Sequence, residues 1–340
     1  MQLTLAHHGD QHVEGLFRNA VDLPDGGGQQ RNDPVTREGD DADAAVAEAQ
    51  RRTISRRDLA RNPRFEQVSP EVGELDEMAV DEAMREDPDE TLAMLADLSG
   101  ATDVQLRELA RRLAGRLFLD VARRGSVSRR GVGRMRDLPY RPDGGDLDLD
   151  ASLDAIVEAG RGAVDPERLR VRGWVRPDTA WCLLVDRSGS MGGRPLATAA
   201  VAAAAVALRA PQDYSVLAFG KDVVVAKSQD STKAAERVVT DVLALRGFGT
   251  TDLAGALRIA TQQLGRSRAG RKIAIVLSDC RATVEGDAVA AAAGLDELLI
   301  VAPASDSDEA AAFAARVGAR LALVTGPASV GDALAAAISG

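Results

Sequence analysis

Asp186, Ser188 and Ser190 occupy alternate positions where an apolar run meets a glycine turn, in "WCLLVDRSGSMGG" over residues 181–193. Alternate residues on an extended turn can aim three small oxygen-bearing side chains at one point, and Gly189, Gly192 and Gly193 relieve crowding around it. Two more oxygen-rich stretches follow: Thr250 and Thr251 in "GFGTTDL", and Ser278 and Asp279 closing "KIAIVLSD". A nucleophile, a phosphate cradle and a metal site are the chemistries open to such residues. A ring of hydroxyl and carboxylate oxygens suits a hard divalent cation, and Mg²⁺ in particular keeps octahedral oxygen ligation with some water retained.

The catalytic alternatives each lack a part. A phosphatase of the haloacid type carries a second aspartate two residues after its nucleophilic one, as the acid/base; here that position is Ser188. A serine hydrolase needs a base beside Ser188 or Ser190, yet all three histidines, His7, His8 and His12, lie in the first twelve residues. A phosphate-binding loop reads GxxxxGK[ST] between strand and helix. "GRSRAGRK" at 265–272 has Arg271 in place of the lysine and precedes a strand. A purely structural reading lets Asp186 cap the next helix, but it leaves Thr251 and Asp279 unexplained. If the hydroxyls bind an ion directly and the aspartates through water, the nearest ligands are neutral. An outside carboxylate then completes the shell, and the site becomes a receptor for an acidic residue of a partner. No catalytic residue is expected.

The elements that position these residues read clearly from 178 onward. Apolar runs "AWCLLVD", "YSVLAFG", "DVVVAK", "KIAIVLSD", "ELLIVAP" and "RLALVTG" alternate with helical stretches at 194–209, 231–244, 252–265, 285–293, 306–317 and 328–338. Short unbroken apolar runs between helices predict a mainly parallel sheet covered on both faces. The expectation is an α/β, doubly wound, six-stranded sheet. One edge strand runs antiparallel, because Gly220-Lys221 is too short for a crossover. Ligands of such sheets bind beyond the carboxyl ends of the strands, where strand order reverses. The alanine-rich run from Leu196 to Leu208 reads as a buried helix.

Upstream, residues 1–65 show no sustained period and read as mostly disordered or loosely packed. Their "HHGDQH" cluster reads as part of a solvated tail and not as a metal site. Residues 66–165 read as a helical region. Asp87-Pro88-Asp89-Glu90 and Thr102 with Gln105 look like capping boxes, and Leu109, Leu113, Leu117 and Val121 share one helix face. The stretch 107–141 holds eleven arginines against three acids, and its "RRGSVSRRGVGRMR" segment reads as a solvated loop. "GGDLDLDASLDAIVEAGRG" predicts a short helix started by Asp148 or Asp150 and stopped by Gly160; its acids lack calcium-loop spacing. "LRVRGWVRP" alternates like an edge strand leading into the last domain, at 175–340.

Asp186-Arg187-Ser188-Gly189-Ser190 resembles the DxSxS motif of von Willebrand factor type A (VWA) domains. Thr251 and Asp279 match the other two positions of that family's metal-ion-dependent adhesion site. The resemblance covers about residues 178–340. It implies direct ligation of Mg²⁺, or of Mn²⁺ or Ca²⁺, by Ser188, Ser190 and Thr251, with Asp186 and Asp279 acting mainly through water. "SDC" departs from the Asp-Gly often found there and puts Cys280 beside the site. The upstream arrangement is also similar to bacterial cytoplasmic VWA proteins that work with MoxR-type AAA+ ATPases, and to the VWA part of magnesium-chelatase D subunits. An AAA+ ATPase offering an acidic residue is the partner the resemblance implies. A metal-dependent hydrolase using Asp186 and Asp279, or a chelatase-like subunit, is the alternative.

Composition agrees with an intracellular binding protein. The chain has 340 residues, 45% of them hydrophobic and only 3% aromatic, so its core must rest on Ala, Val and Leu. No apolar run has membrane-spanning length, and the start lacks a secretion pattern. Two cysteines, Cys182 and Cys280, make no disulfide framework, which predicts a reduced, cytoplasmic setting. The net charge of −10 and the lack of aromatics among the arginines argue against nucleic acid as the partner.

Overall fold

The computed structural model describes residues 34–339 apart from 126–133, 140–145, 161, 163, 176–178, 188–191, 246 and 248. Its centre is a sheet whose middle strand, β5 (Thr179–Asp186), is buried along nearly its whole length. The period of two is explicit there: Trp181, Leu183 and Val185 enter one core, while Ala180, Cys182 and Leu184 enter the other. Both faces of the strand are therefore apolar, as in a sheet with helices on each side.

On one side of β5 lie β6 (Tyr214–Phe219), β7 (Val223–Lys227) and β1 (Thr36–Arg37); on the other lie β8 (Arg271–Leu277), β9 (Glu297–Pro303) and β10 (Arg320–Val324). All neighbours are parallel except β6 and β7, which form the expected hairpin. The sheet has seven strands, not the six expected. The extra one, β1, comes from a two-residue segment that carries no strand pattern of its own and pairs parallel with β7. A second, three-stranded antiparallel sheet joins β2 (Arg134–Pro139), β4 (Arg170–Val175) and β3 (Asp146–Leu147), in the order β2-β4-β3. Thus Arg170–Val175 of "LRVRGWVRP" form a strand, but it is the middle strand of this separate sheet and not an edge strand of the main one. Part of the arginine-rich stretch is strand and not loop. Helix α7 (Leu149–Ala159) packs against β4, capped by Asp148, whose carboxylate accepts from the Ala151 N–H at 3.0 Å.

Helix α8 (Gly193–Arg209) follows β5 and has no free face: every residue from Leu196 to Ala207 is buried. A helix apolar all round must be covered all round. The sheet covers one side. The others are taken by α5 (Pro88–Leu98), α6 (Val104–Gly125), α9 (Ala235–Ala244) and α13 (Val330–Ser339). The upstream helices thus share a core with the α/β domain. Helices α10 (Leu253–Gly265), α11 (Ala288–Ala292) and α12 (Asp308–Val317) line the opposite face.

Residues 34–65 were expected to be loosely packed. In the structure they form α1 (Asp40–Ala49) and α2 (Arg56–Leu59), followed by α3 (Phe65–Val68) and α4 (Glu77–Glu86), and they bury Ala42, Val46, Leu59 and Phe65. Residues 1–33, with the histidine cluster, lie outside the described residues. The cap of α5 is Asp87, as expected. That of α6 is Asp103, which accepts from the Gln105 and Leu106 N–H groups at 2.9 and 3.1 Å. Thr102 instead donates its hydroxyl to the Ile54 carbonyl at 3.0 Å.

Glu38 ties this segment to the domain. Its carboxylate takes both guanidinium arms of Arg266, the Ser228 hydroxyl at 2.6 Å and the Gln263 amide at 3.2 Å. The Arg266 hydrogen bonds, helped by Ser228 and Gln263, hold its pKa down at about 2. Stability from this group is present above the ordinary value of 4.5 and is lost as pH falls toward about 2. Glu38→Gln is expected to cost about 1–2 kcal/mol after solvent screening. Amide exchange should quicken in β1 and α1 while α10 stays protected.

At alkaline pH the buried acids govern. Burial pushes the Cys182 thiol up to about 12 from 9.0, and the Tyr214 hydroxyl up to about 12 from 10.0. Stability they confer is complete below pH 9.0 and 10.0 respectively, and is lost as pH rises through about 12. Lys227, 2% exposed, is pushed down to about 8 by burial and opposes them, adding stability between pH 8 and 10.5. The melting temperature should therefore fall once pH exceeds 10.5, where Lys227 no longer offsets the raised acids and Cys182, Tyr214 and Cys280 still titrate. Cys182→Ala should flatten that fall in a pH series of thermal melts.

Candidate functional site

Strand order reverses at β5. The chain moves from β5 to β6 on one side and later places β8 on the other, and in open α/β sheets ligands bind beyond the carboxyl edge at such a switch point. Asp186 is the last residue of β5 and is 8% exposed. Its Oδ2 accepts a hydrogen bond from the Ser278 hydroxyl at 2.6 Å, which joins the ends of β5 and β8. Asp279 follows Ser278 and is half-buried; its Oδ1 accepts from the Arg281 N–H at 3.0 Å.

Thr251 arrives from the loop before α10 and is 1% exposed, whereas Thr250 is exposed. Its backbone is bound to the loop after β8 from both ends. The Thr251 N–H donates to the Thr283 hydroxyl at 2.7 Å, and its carbonyl accepts from the Thr283 and Val284 N–H groups at 3.1 and 3.2 Å. Next to it, the Asp252 N–H donates to the Gly220 carbonyl at 3.1 Å, tying the loop to the end of β6. Among the described residues the Thr251 hydroxyl makes no hydrogen bond. Three loops are thus joined at one edge, carrying Asp186, Thr251 and Asp279. Ser188 and Ser190 lie outside the described residues.

Arg187, the one basic residue inside the motif, is drawn aside. It pairs with Asp222 of the β6–β7 turn, and Arg37 of β1 reaches the same carboxylate at 3.0 Å. Its charge is thereby spent on a structural contact. Cys280 adopts φ 62°, the only left-handed non-glycine residue among those described. That conformation costs a side-chain-bearing residue about 1–2 kcal/mol. It explains why glycine suits the position. The Cys280 thiol is buried, and burial together with the nearby Asp279 and Asp186 carboxylates pushes it up to about 12. It is protonated and sheltered at neutral pH, which does not favour redox chemistry.

Two contributors were not among the expected site residues. Ser278 adjoins Asp279, and its position at the end of a strand is the signal that marks it. Asp97 lies on α5, and nothing in the sequence links it to a loop 96 positions away. Its Oδ1 accepts from the Gly193 N–H at 3.0 Å, at the start of α8 just beyond the serines. Glu90 of α5 also reaches Arg194 at 3.4 Å. The first turn of α8 is therefore met by α5.

The donors are hydroxyls and carboxylates, which fit a hard cation. Among the described residues no three His, Cys, Asp or Glu side chains gather closely enough to hold an ion. A cation at this edge would have to be met largely by hydroxyl oxygens.

The sequence pattern of the family described as VWA domain containing CoxE-like protein matches residues 119–329. No curated protein matches the chain. Solved structures resemble it distantly. A von Willebrand factor type A protein from Catenulispora acidiphila is 15% identical, with 50% of this chain and 43% of that one covered and a TM-score of 0.38. The manganese-loaded TRAP protein of Plasmodium vivax is 16% identical, with 44% and 68% covered and a TM-score of 0.36. The conserved hypothetical protein BatB from Bacteroides thetaiotaomicron is 15% identical, with 47% and 97% covered and a TM-score of 0.36. The match thus spans less than half of the Catenulispora chain. Among the described residues no helix is long and apolar enough to cross a membrane.

Proposed function

Because the chain belongs to the family of VWA domain containing CoxE-like proteins, we propose that it is a non-catalytic, divalent-metal-dependent adaptor that docks an acidic residue of a partner protein. The observation that carries this reading is the joining of three loops at the carboxyl edge of the sheet by Ser278, Thr283 and the Gly220 carbonyl. Asp186, Thr251 and Asp279 would hold Mg²⁺ there, with Ser188 and Ser190 from the intervening turn. When bound, the cation supplies a positive centre with room for one outside carboxylate. This chain's own residues set that up. Ser278 orients the Asp186 carboxylate, the bonds to Thr283 and Val284 fix the Thr251 backbone, and Asp222 removes the competing charge of Arg187.

A purely structural role for Asp186 is less well supported. The first N–H of α8 is met by Asp97, and the Asp186 carboxylate accepts from Ser278. A histidine-assisted serine hydrolase has no histidine among the described residues to act as its base, since all three lie at positions 7, 8 and 12. The partner we propose is a MoxR-type AAA+ ATPase, which the adaptor would couple to assembly, maturation or metal insertion in a client. Immobilised protein is expected to retain such an ATPase in Mg²⁺ and release it in EDTA, with Asp186→Ala behaving like the chelator. Equal retention under all three conditions would remove the basis for this function.

A further inference from the structure

Helix α7 is packed in an unusual way. It rests on β4 through Ser152 and Ala155, both small, with Ile156 half-buried beside them, while Leu149, Leu153 and Val157 face solvent. Leu149, Leu153 and Val157 are 63%, 55% and 69% exposed. They recur every fourth residue, so they form one continuous row along the helix. An eleven-residue helix anchored by two small buried side chains and a half-buried Ile156 is marginal by itself, and three adjacent exposed aliphatic side chains give it an apolar band for a partner to cover.

A second row specifies what would cover the first. Asp150, Asp154 and Glu158 are exposed and each follows one member of the apolar row, about 100° further round the helix. Glu158 pairs with Arg168 at 2.5 Å, with both side chains largely in solvent. Asp150 and Asp154 make no ion pair among the described residues. Around the circumference, the packed edge gives way to an aliphatic band and then to an acidic one. A second copy of this chain would bring the same acids against this band. Anionic lipid would be repelled by it.

We propose that this face docks an amphipathic helix of a partner protein, one with an aliphatic row flanked by arginines or lysines. The contact is separate from the metal-dependent site and does not rest on it. Helix-on-helix docking reads aliphatic anchors at four-residue spacing, and the charged flank sets orientation and partner choice.

The probe is a labelled peptide of about 16 residues with leucines at helical spacing and arginines beside them, together with a twin carrying glutamates in place of the arginines. Fluorescence anisotropy with the full chain is expected to show the arginine peptide binding at least about ten-fold more tightly than its twin. The combined change Leu149→Ser, Leu153→Ser and Val157→Ser should weaken binding by about ten-fold or more without lowering the melting temperature, since those side chains are exposed. Asp154→Lys with Glu158→Lys should reverse the preference between the peptides. EDTA and Asp186→Ala should leave binding unchanged. Equal binding of both peptides, or loss of binding in EDTA, would overturn the proposal. So would concentration-dependent dimerisation abolished by the triple serine change.

Discussion

Ala203→Asp is expected to leave the protein largely unfolded. Ala203 is fully buried in α8, between the sheet and the covering helices. An aspartate there would sit in an apolar core cluster and overfill the packing. A buried unpaired charge costs about 3–5 kcal/mol, and overpacking adds about 1–3 kcal/mol. A domain is stable by only about 5–15 kcal/mol. The same change at Ala290, exposed on α11, should move stability by less than about 0.5 kcal/mol. Urea denaturation followed by circular dichroism compares the two. A normal midpoint for Ala203→Asp would mean that α5 and α6 do not cover α8 in solution.

Thr251→Val is the sharpest test of the metal reading. Valine keeps the shape of threonine and removes only the hydroxyl, which makes no hydrogen bond among the described residues. The backbone bonds that hold position 251 survive. Affinity for Mn²⁺, measured by calorimetry, is expected to drop by more than about ten-fold, the loss of one direct oxygen ligand. The metal-free melting temperature should hold. Asp186→Ala differs because it also removes the acceptor of the Ser278 hydroxyl, which keeps only the bond it accepts from the Cys280 N–H; Ser278 is 6% exposed. About 1–2 kcal/mol of stability should go with the metal affinity. Removing Mg²⁺ should lower the melting temperature of the natural chain, since a ligand bound only to the folded state stabilises it. It should not lower that of Asp186→Ala. Unaltered Mn²⁺ binding by Thr251→Val would mean that the ion, if held at all, sits elsewhere.

Much of the α/β domain could be read before the structure was known, because its signals are local. Unbroken apolar runs mark strands buried on both faces, and the short turn at Gly220, Lys221 and Asp222 forces the hairpin between β6 and β7. The all-round apolar character of residues 196–207 required that α8 be enclosed on every side. Which helices would enclose it was not readable. Coverage depends on matching surfaces far apart in the chain, and α5 precedes α8 by about a hundred positions. Strand β1 is similar: Thr36 and Arg37 have no strand pattern, and their pairing with β7 is accompanied by the contacts of Arg37 and Glu38 with distant residues.

The site divides along the same line. Residue chemistry and order along the chain send Asp186, the Thr250–Thr251 pair and Asp279 to one edge, since each stands at a strand end or on a loop of the α/β rhythm, while the choice of Thr251 over Thr250 came from the resemblance to VWA domains. What holds those loops in register was decided in three dimensions. The Ser278 hydroxyl on Asp186, Thr283 on the Thr251 backbone and Asp97 at the start of α8 are contacts across 92, 32 and 96 positions. A sequence specifies which atoms can donate and accept. Only the packed chain determines which pairs come within hydrogen-bond distance, because that depends on where every intervening element has been placed.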